Sequence, residues 1–183
     1  MSKSILIVGA VVLFLLIATP GKAGSLSESD KDALAAISYL DRVDLPLGMR
    51  NNNPGNLRPD GVSNWQGLIG IDSKNNFLRF GAFAWGVRAL IKQIRDADLG
   101  RHGIRSIRSL IEKYSPVNDN SRPIVESYIK YLISHTGFIS GNIPDTSKET
   151  VKKLVTGIAD HENGRSGVIS NKMFEFSWLL SLT

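Results

Sequence analysis

The residues that most often do chemistry are scarce in this chain. It has no cysteine, which removes thiolate nucleophiles, disulfides and cysteine zinc sites. Its only histidines are His102, His135 and His161, and the His161-Glu162 pair lacks the second histidine of a zinc-protease helix because position 165 is arginine. No metal and no cofactor are expected; glycine-rich phosphate loops and a G-x-S-x-G elbow are absent too. What remains is a carboxylate. A helix predicted to start near Ser147 carries Val151, Leu154, Val155 and Ile158 on one face, and the same spacing reaches Glu162. A carboxyl group at the end of an apolar stripe loses solvent, and a helix C-terminus adds negative potential. Both raise its pKa, which suits a general acid. Asn163-Gly164 supplies the helix stop. The stripe could also end one turn earlier and leave Glu162 as an ordinary solvated glutamate, so spacing alone leaves both readings open. His161 is read as structural, since a helix C-terminus accommodates histidine well.

The second chemical feature is the stretch "GMRNNNPGNLRP", residues 48–59. Asparagines offer donors and acceptors without charge, and a cluster of them on a turn suits the hydroxyl and N-acetyl groups of a sugar chain. Asparagine and glycine also build turns that hydrogen-bond their own backbone, the commoner fate of such residues.

The elements that must position these groups follow from periodicity. "SESD" has the form of a helix start, and Leu34, Ile37, Tyr39 and Leu40 predict a short helix ending near Arg42. Over 56–80, "WQGLIGI", the turn "DSKNN" and the alternating "FLRF" predict a β-hairpin or three-stranded element. Phe83, Val87, Leu90, Ile91 and Ile94 predict a helix stopped at Gly100, and Ile107, Leu110, Ile111 and Tyr114 another that Ser115-Pro116 ends. Pro123 begins a helix that Gly137 stops, Thr146 with Glu149 forms a capping-box pattern for the helix carrying Glu162, and a last helix runs over about 171–182. Helices around one small sheet give an α+β fold, mostly α.

The 183 residues bound one core with appendages. Lysine and arginine outnumber acids 22 to 17, a net charge of +5 that suits an anionic partner without choosing nucleic acid, lipid or cell-wall polymer. The basic stretch 101–108 lacks the interleaved aromatics of a stacking platform, so no nucleic acid is expected. At the N-terminus, residues 5–19 form an uninterrupted apolar run. It is shorter than the roughly 20 residues that span a bilayer comfortably and has the length of a secretory signal core. Residues 1–24 are therefore read as a membrane anchor or signal segment, a hydrophobic helix kept as an anchor in preference, and 25–183 as the functional domain.

"GMRNNNPGNLRP", "WQG", "FLRFGAFAWGVRAL", "EKYSPVNDN" with "YIKYL", and "IADHENG" together resemble a family of phage virion structural proteins and virion-associated peptidoglycan hydrolases, over about residues 48–165. Two places differ: Asp160 stands where that family usually has a basic residue, and the loop after Tyr114 lacks the two-proline or glutamate-containing form usual in that family. "LVTGIADHENG" is also similar to the catalytic helix of lysozyme-like lytic transglycosylases, with the order of β-element and glutamate helix reversed. The resemblance implies a rearranged lysozyme-like domain that cleaves peptidoglycan glycan strands as a lytic transglycosylase or muramidase. It implies Glu162 as the catalytic acid and base; Asn52, Asn53 and Asn56 lining the cleft; Arg50 bracing the turn or meeting a carboxylate; and Trp65 and Tyr114 as sugar platforms. Arg88 is read as a brace for the asparagine turn. As a second carboxylate, Asp60, Asp72 and Glu112 are weak choices, which tilts the reading toward a transglycosylase. The expected location is a virion membrane, held through residues 5–19 and possibly beside other virion proteins, or else the periplasm after secretion. The alternative is a non-catalytic virion membrane protein that binds glycan or packs against the capsid.

Overall fold

The computed structural model describes residues 26–61, 63–118 and 120–183. The segment 1–24, with its apolar run 5–19, lies outside the described residues, and among those described no helix is long and apolar enough to cross a membrane. The domain is α+β and mostly helical. In chain order come α1 (Glu28–Ala35), the single turn α2 (Leu47–Arg50), strands β1 (Leu68–Asp72) and β2 (Phe77–Phe80), α3 (Phe83–Lys92), α4 (Ile107–Tyr114), α5 (Arg122–Thr136), α6 (Lys148–Glu162) and α7 (Asn171–Leu180). The β-element is a two-stranded antiparallel hairpin, not three strands. The described residues of 56–67 form no strand; the Leu57 N–H is taken by Asn53 Oδ1, and its carbonyl accepts from Asn53 Nδ2 and the Leu78 N–H.

α3 is the central helix. Val87, Leu90 and Ile91 are fully buried, and the helix continues as a wide π-helical segment, Gln93–Arg101. Against this core pack Val151, Leu154, Val155 and Ile158 of α6, all fully buried, so the predicted apolar stripe is the inward face. Ser147 caps α6, its hydroxyl accepting from the Thr150 N–H; the predicted Thr146 cap falls one residue early. α1 ends at Ala35, short of the expected Arg42. The chain leaves the helix there because the Ile37 carbonyl accepts from the Phe83 N–H at 2.9 Å and the Tyr39 N–H donates to Asn52 Oδ1 at 2.8 Å. Those bonds need extended backbone.

The loop 51–57 is sewn to β2 from inside. Phe80 N–H donates to the Asn51 carbonyl at 3.0 Å and Leu78 N–H to the Leu57 carbonyl at 2.9 Å. Asn52 and Asn56 adopt left-handed backbone, with φ 51° and 49°, a conformation asparagine tolerates better than most side chains do. The loop also lies against α3 at Gly86, where a Cβ would stand 1.7 Å from the Asn52 carbonyl oxygen. Only glycine permits that approach.

Candidate active site

The loop and the end of α6 meet at one carboxylate. Asn56 Nδ2 donates to Glu162 Oε2 at 2.9 Å, across 106 residues of sequence. Asn163, the next residue along, makes the joint rigid. Its Nδ2 donates to the Pro54 and Ala159 carbonyls, both at 2.8 Å, and its Oδ1 accepts the Met49 N–H at 3.1 Å. Met49 belongs to the first turn of α2, whose N–H groups have no partner within the helix. Asn163 therefore caps α2 from the far end of the chain.

Glu162 lines an open hollow of about 200 Å³ with Asn56, Arg58, Phe77, Tyr114, Ser115, Pro116 and Asn120. Burial pushes its pKa above the ordinary carboxylate value, and hydrogen bonding from Asn56, the neighbouring Tyr128 hydroxyl and the charge of Arg58 oppose that shift without cancelling it. The Tyr128 hydroxyl is buried and makes no hydrogen bond of good geometry, so its influence on Glu162 is one of proximity. Burial first, and then the Glu162 charge, raise the phenol pKa of both Tyr114 and Tyr128. Both stay neutral. His161 stacks on the Tyr128 ring at 3.5 Å between centroids, and burial lowers its pKa; it fixes the tyrosine and does not face the hollow. Tyr114 is held by a hydrogen bond from its hydroxyl to the Gly55 carbonyl.

Three hollows that share lining residues in sequence make up a trough. Asn56, Arg58, Tyr114 and Pro116 also line a neighbouring hollow of about 340 Å³. That hollow in turn shares Asp60, Gln93 and Lys113 with a third, of about 550 Å³, which contains Trp65. The glutamate sits at one end of this trough and Trp65 at the other.

Several expected site residues are placed elsewhere. Asn52 and Asn53 are 0% exposed and do not line the cleft. Asn52 Nδ2 donates to Ser38 Oγ and the Phe80 carbonyl, while Asn53 Nδ2 donates to the Leu57 and Leu78 carbonyls and its Oδ1 accepts the Leu57 N–H. Their amides are consumed in holding the loop to β2. Arg50 lines a separate hollow with Asp41, Asp72 and Arg79 that shares no lining residue with the glutamate's. Arg88 braces the C-terminus of α7 through its Nε and the Leu180 carbonyl at 2.9 Å, not the asparagine turn. Asp160 is buried and receives the Gly167 and Val168 N–H groups at 3.1 and 2.9 Å, so its charge shapes the return loop after α6 and not a ligand surface.

Among the described residues no second carboxylate lines the hollow with Glu162. Asp72 lines the hollow with Arg50, Glu112 pairs with Arg108 at 3.3 Å, and Asp60, in the neighbouring hollow, accepts the Ser63 N–H at 2.8 Å. No group of three or more acidic or histidine side chains among the described residues could hold a metal ion. Sequence reasoning missed Arg58, Tyr128, Asn120 and Asn163. All four lie inside the quoted motifs, but Tyr128 sits on the apolar face of α5 and reads as core. No family model matches the sequence and no curated protein matches it.

Proposed function

We propose that this chain cleaves the glycan strand of peptidoglycan, as a lytic transglycosylase or muramidase on a rearranged lysozyme-like domain, and that it acts from a phage virion during local penetration of the wall. The observation that carries the proposal is the pairing of Asn56 with a partly buried Glu162 of raised pKa at the end of an open trough. A carboxyl group that keeps its proton at higher pH than usual is suited to protonate a leaving glycosidic oxygen. The apolar run 5–19 would hold the domain at a membrane.

The transglycosylase form needs one carboxylate. Glu162 gives its proton to the glycosidic oxygen as the bond to the anomeric carbon breaks. The resulting carboxylate then takes the proton of a substrate hydroxyl while that oxygen bonds to the same carbon. No water is consumed and the glutamate returns to its starting state. The neutral Tyr128 hydroxyl and the Arg58 guanidinium stand where they can offset the negative charge left on Glu162 between the two steps. A hydrolase would need a positioned water and, in most glycosidases, a second carboxylate. The absence of such a group from the described lining favours the one-carboxylate route.

The test is release of soluble fragments from purified peptidoglycan by the 183-residue chain and by Glu162→Gln. Release that falls by about a hundredfold or more in the variant is expected for loss of the acid. Equal release by both would remove Glu162 from the catalytic role, and none by either would leave a non-catalytic virion protein as the better reading.

A further inference from the structure

The third hollow of the trough contains a buried cation with no carboxylate of its own. Arg88 is 6% exposed and lines that hollow. Among the described residues its only protein hydrogen bond runs from Nε to the Leu180 carbonyl, and its guanidinium lies 5.9 Å from the Trp85 ring. Among the described residues it forms no ion pair, since the nearby Asp96 is occupied by Lys92 at 3.1 Å and Arg95 at 2.5 Å. A guanidinium cannot shed its proton to relieve burial, and a buried charge whose nearest counter-charge, Asp96, is shared with Lys92 and Arg95 is costly. Burial first, and then the positive charge of Arg95, weaken its hold on the proton, and the charge of Asp96 opposes them only in part.

The surroundings add to this. Arg101, exposed on the π-helical segment, lines the same hollow and makes no ion pair among the described residues. Gln93 and Ala97 of that segment line it as well, and Trp65 offers a partly exposed ring. In all, four basic side chains and two acidic ones surround about 550 Å³. Guanidinium groups bind carboxylates through paired, charge-assisted hydrogen bonds, and the planar ring beside them suits a flat amide or sugar face.

We propose that this hollow binds the carboxylate-bearing peptide stem of the wall polymer, while Glu162 holds the glycan at the other end of the trough. The proposal rests on the glycan-cleaving reading for its choice of anion. The shared lining of the three hollows makes it specific: a strand seated at Glu162 and running past Tyr114 would bring a branch toward Arg101 and Arg88. The site selects for free peptide carboxylates, so strands with trimmed, uncapped stems bind better than bare glycan.

Two kinds of measurement test this. The first titrates the full chain with a synthetic stem tripeptide bearing free carboxylates, with its fully amidated form, and with inorganic phosphate. The second measures retention of the Glu162→Gln chain on intact sacculi and on sacculi stripped of peptide by an amidase. The acid tripeptide should bind, and the amidated form and phosphate should bind at least about tenfold more weakly. Arg101→Gln, a surface change that leaves the core intact, should weaken the tripeptide about three- to tenfold, and Arg88→Met should do so more strongly if it folds. Stripping the stems should lower retention by a similar factor. Equal binding of acid and amide, phosphate binding as tightly as the tripeptide, or indifference to Arg101→Gln would overturn the proposal. Tripeptide binding that depends on Arg101 without any glycan cleavage would keep this site and sink the enzymatic reading. Cleavage without tripeptide binding would do the reverse.

Discussion

Asn163→Ala isolates the joint between the asparagine loop and the helix that carries Glu162. The native side chain makes three hydrogen bonds: from the Met49 N–H at 3.1 Å and to the Pro54 and Ala159 carbonyls at 2.8 Å. Alanine leaves the Met49 N–H buried without an acceptor, at roughly 1 to 3 kcal/mol, and removes two bonds each worth about 0.5 to 1.5 kcal/mol net. The Ala159 carbonyl keeps a second donor, the Asn163 N–H at 3.2 Å, so the lower half of that range applies to it. The expected destabilisation is about 3 kcal/mol. Against a folding stability on the order of 5 to 15 kcal/mol the variant stays folded, with a melting temperature roughly 6 to 12 °C lower for a domain of this size. Urea denaturation followed by circular dichroism measures it, an unchanged m-value showing that the unfolded state is unaltered. Activity should fall further than the folded fraction does, because the loop that presents Asn56 is released. A variant within about 0.5 kcal/mol of wild type would show that the joint contributes packing shape and not hydrogen bonding, and the reasoning above would fail.

Other consequences can be checked one at a time. Gly86→Ala puts a Cβ 1.7 Å from the Asn52 carbonyl oxygen; since backbone stands on both sides, a loss of about 3 kcal/mol or more is expected, and a melting temperature within a few degrees of wild type would contradict the close contact. Asn56→Asp keeps a residue that tolerates the left-handed backbone, removes a donor that lowers the Glu162 pKa and adds a like charge. Both changes raise that pKa, so the alkaline limb of the pH-rate profile should move upward, and a shift to lower pH would refute the assignment. Glu162 has a raised pKa in the fold, so its protonated form favours the native state and stability is lost as pH climbs through the raised value. Glu162→Gln should therefore be more stable than wild type at neutral pH, the advantage vanishing below the ordinary carboxylate value of 4.5. Thermal melts at several pH values decide it, and a variant less stable at pH 7 would show that burial does not dominate.

Much of the fold was legible because its helices obey local rules. The stripe Val151, Leu154, Val155, Ile158 faces the core and carries Glu162 to the hollow, as its spacing predicts. Pro123 and Gly137 bracket α5, and the hairpin closes through the predicted turn. The asparagine loop was legible only as a polar turn. Which amides face inward depends on partners 13 to 28 residues away, such as Tyr39, Leu78 and Phe80, and no local pattern carries that information. The two readings of the stretch both hold in part: Asn52 and Asn53 satisfy backbone, and Asn56 alone reaches the glutamate. The early end of α1 has the same origin in part, since the Tyr39 N–H that local propensity assigns to helix is taken by Asn52 of this loop. Arg88 was misplaced for a related reason, because its carbonyl partner lies 92 residues on, at the end of α7. The π-helical run after Lys92 also escaped notice. It returns the His102 N–H to the Ala97 carbonyl at 2.9 Å, while buried Asp98 bonds Gln93 and Lys113, contacts that hydrophobic periodicity does not report.

The central claim is that Glu162 alone acts as acid and then base on a glycan strand. The most direct measurement is mass spectrometry of the fragments released from purified peptidoglycan in heavy-oxygen water, by wild type and by Glu162→Gln. The account predicts internally cyclised sugar ends without label from the wild type and no such ends from the variant. Labelled reducing ends would mean that water is the nucleophile and a second group assists, and identical fragments from both proteins would mean that Glu162 is not the catalytic group.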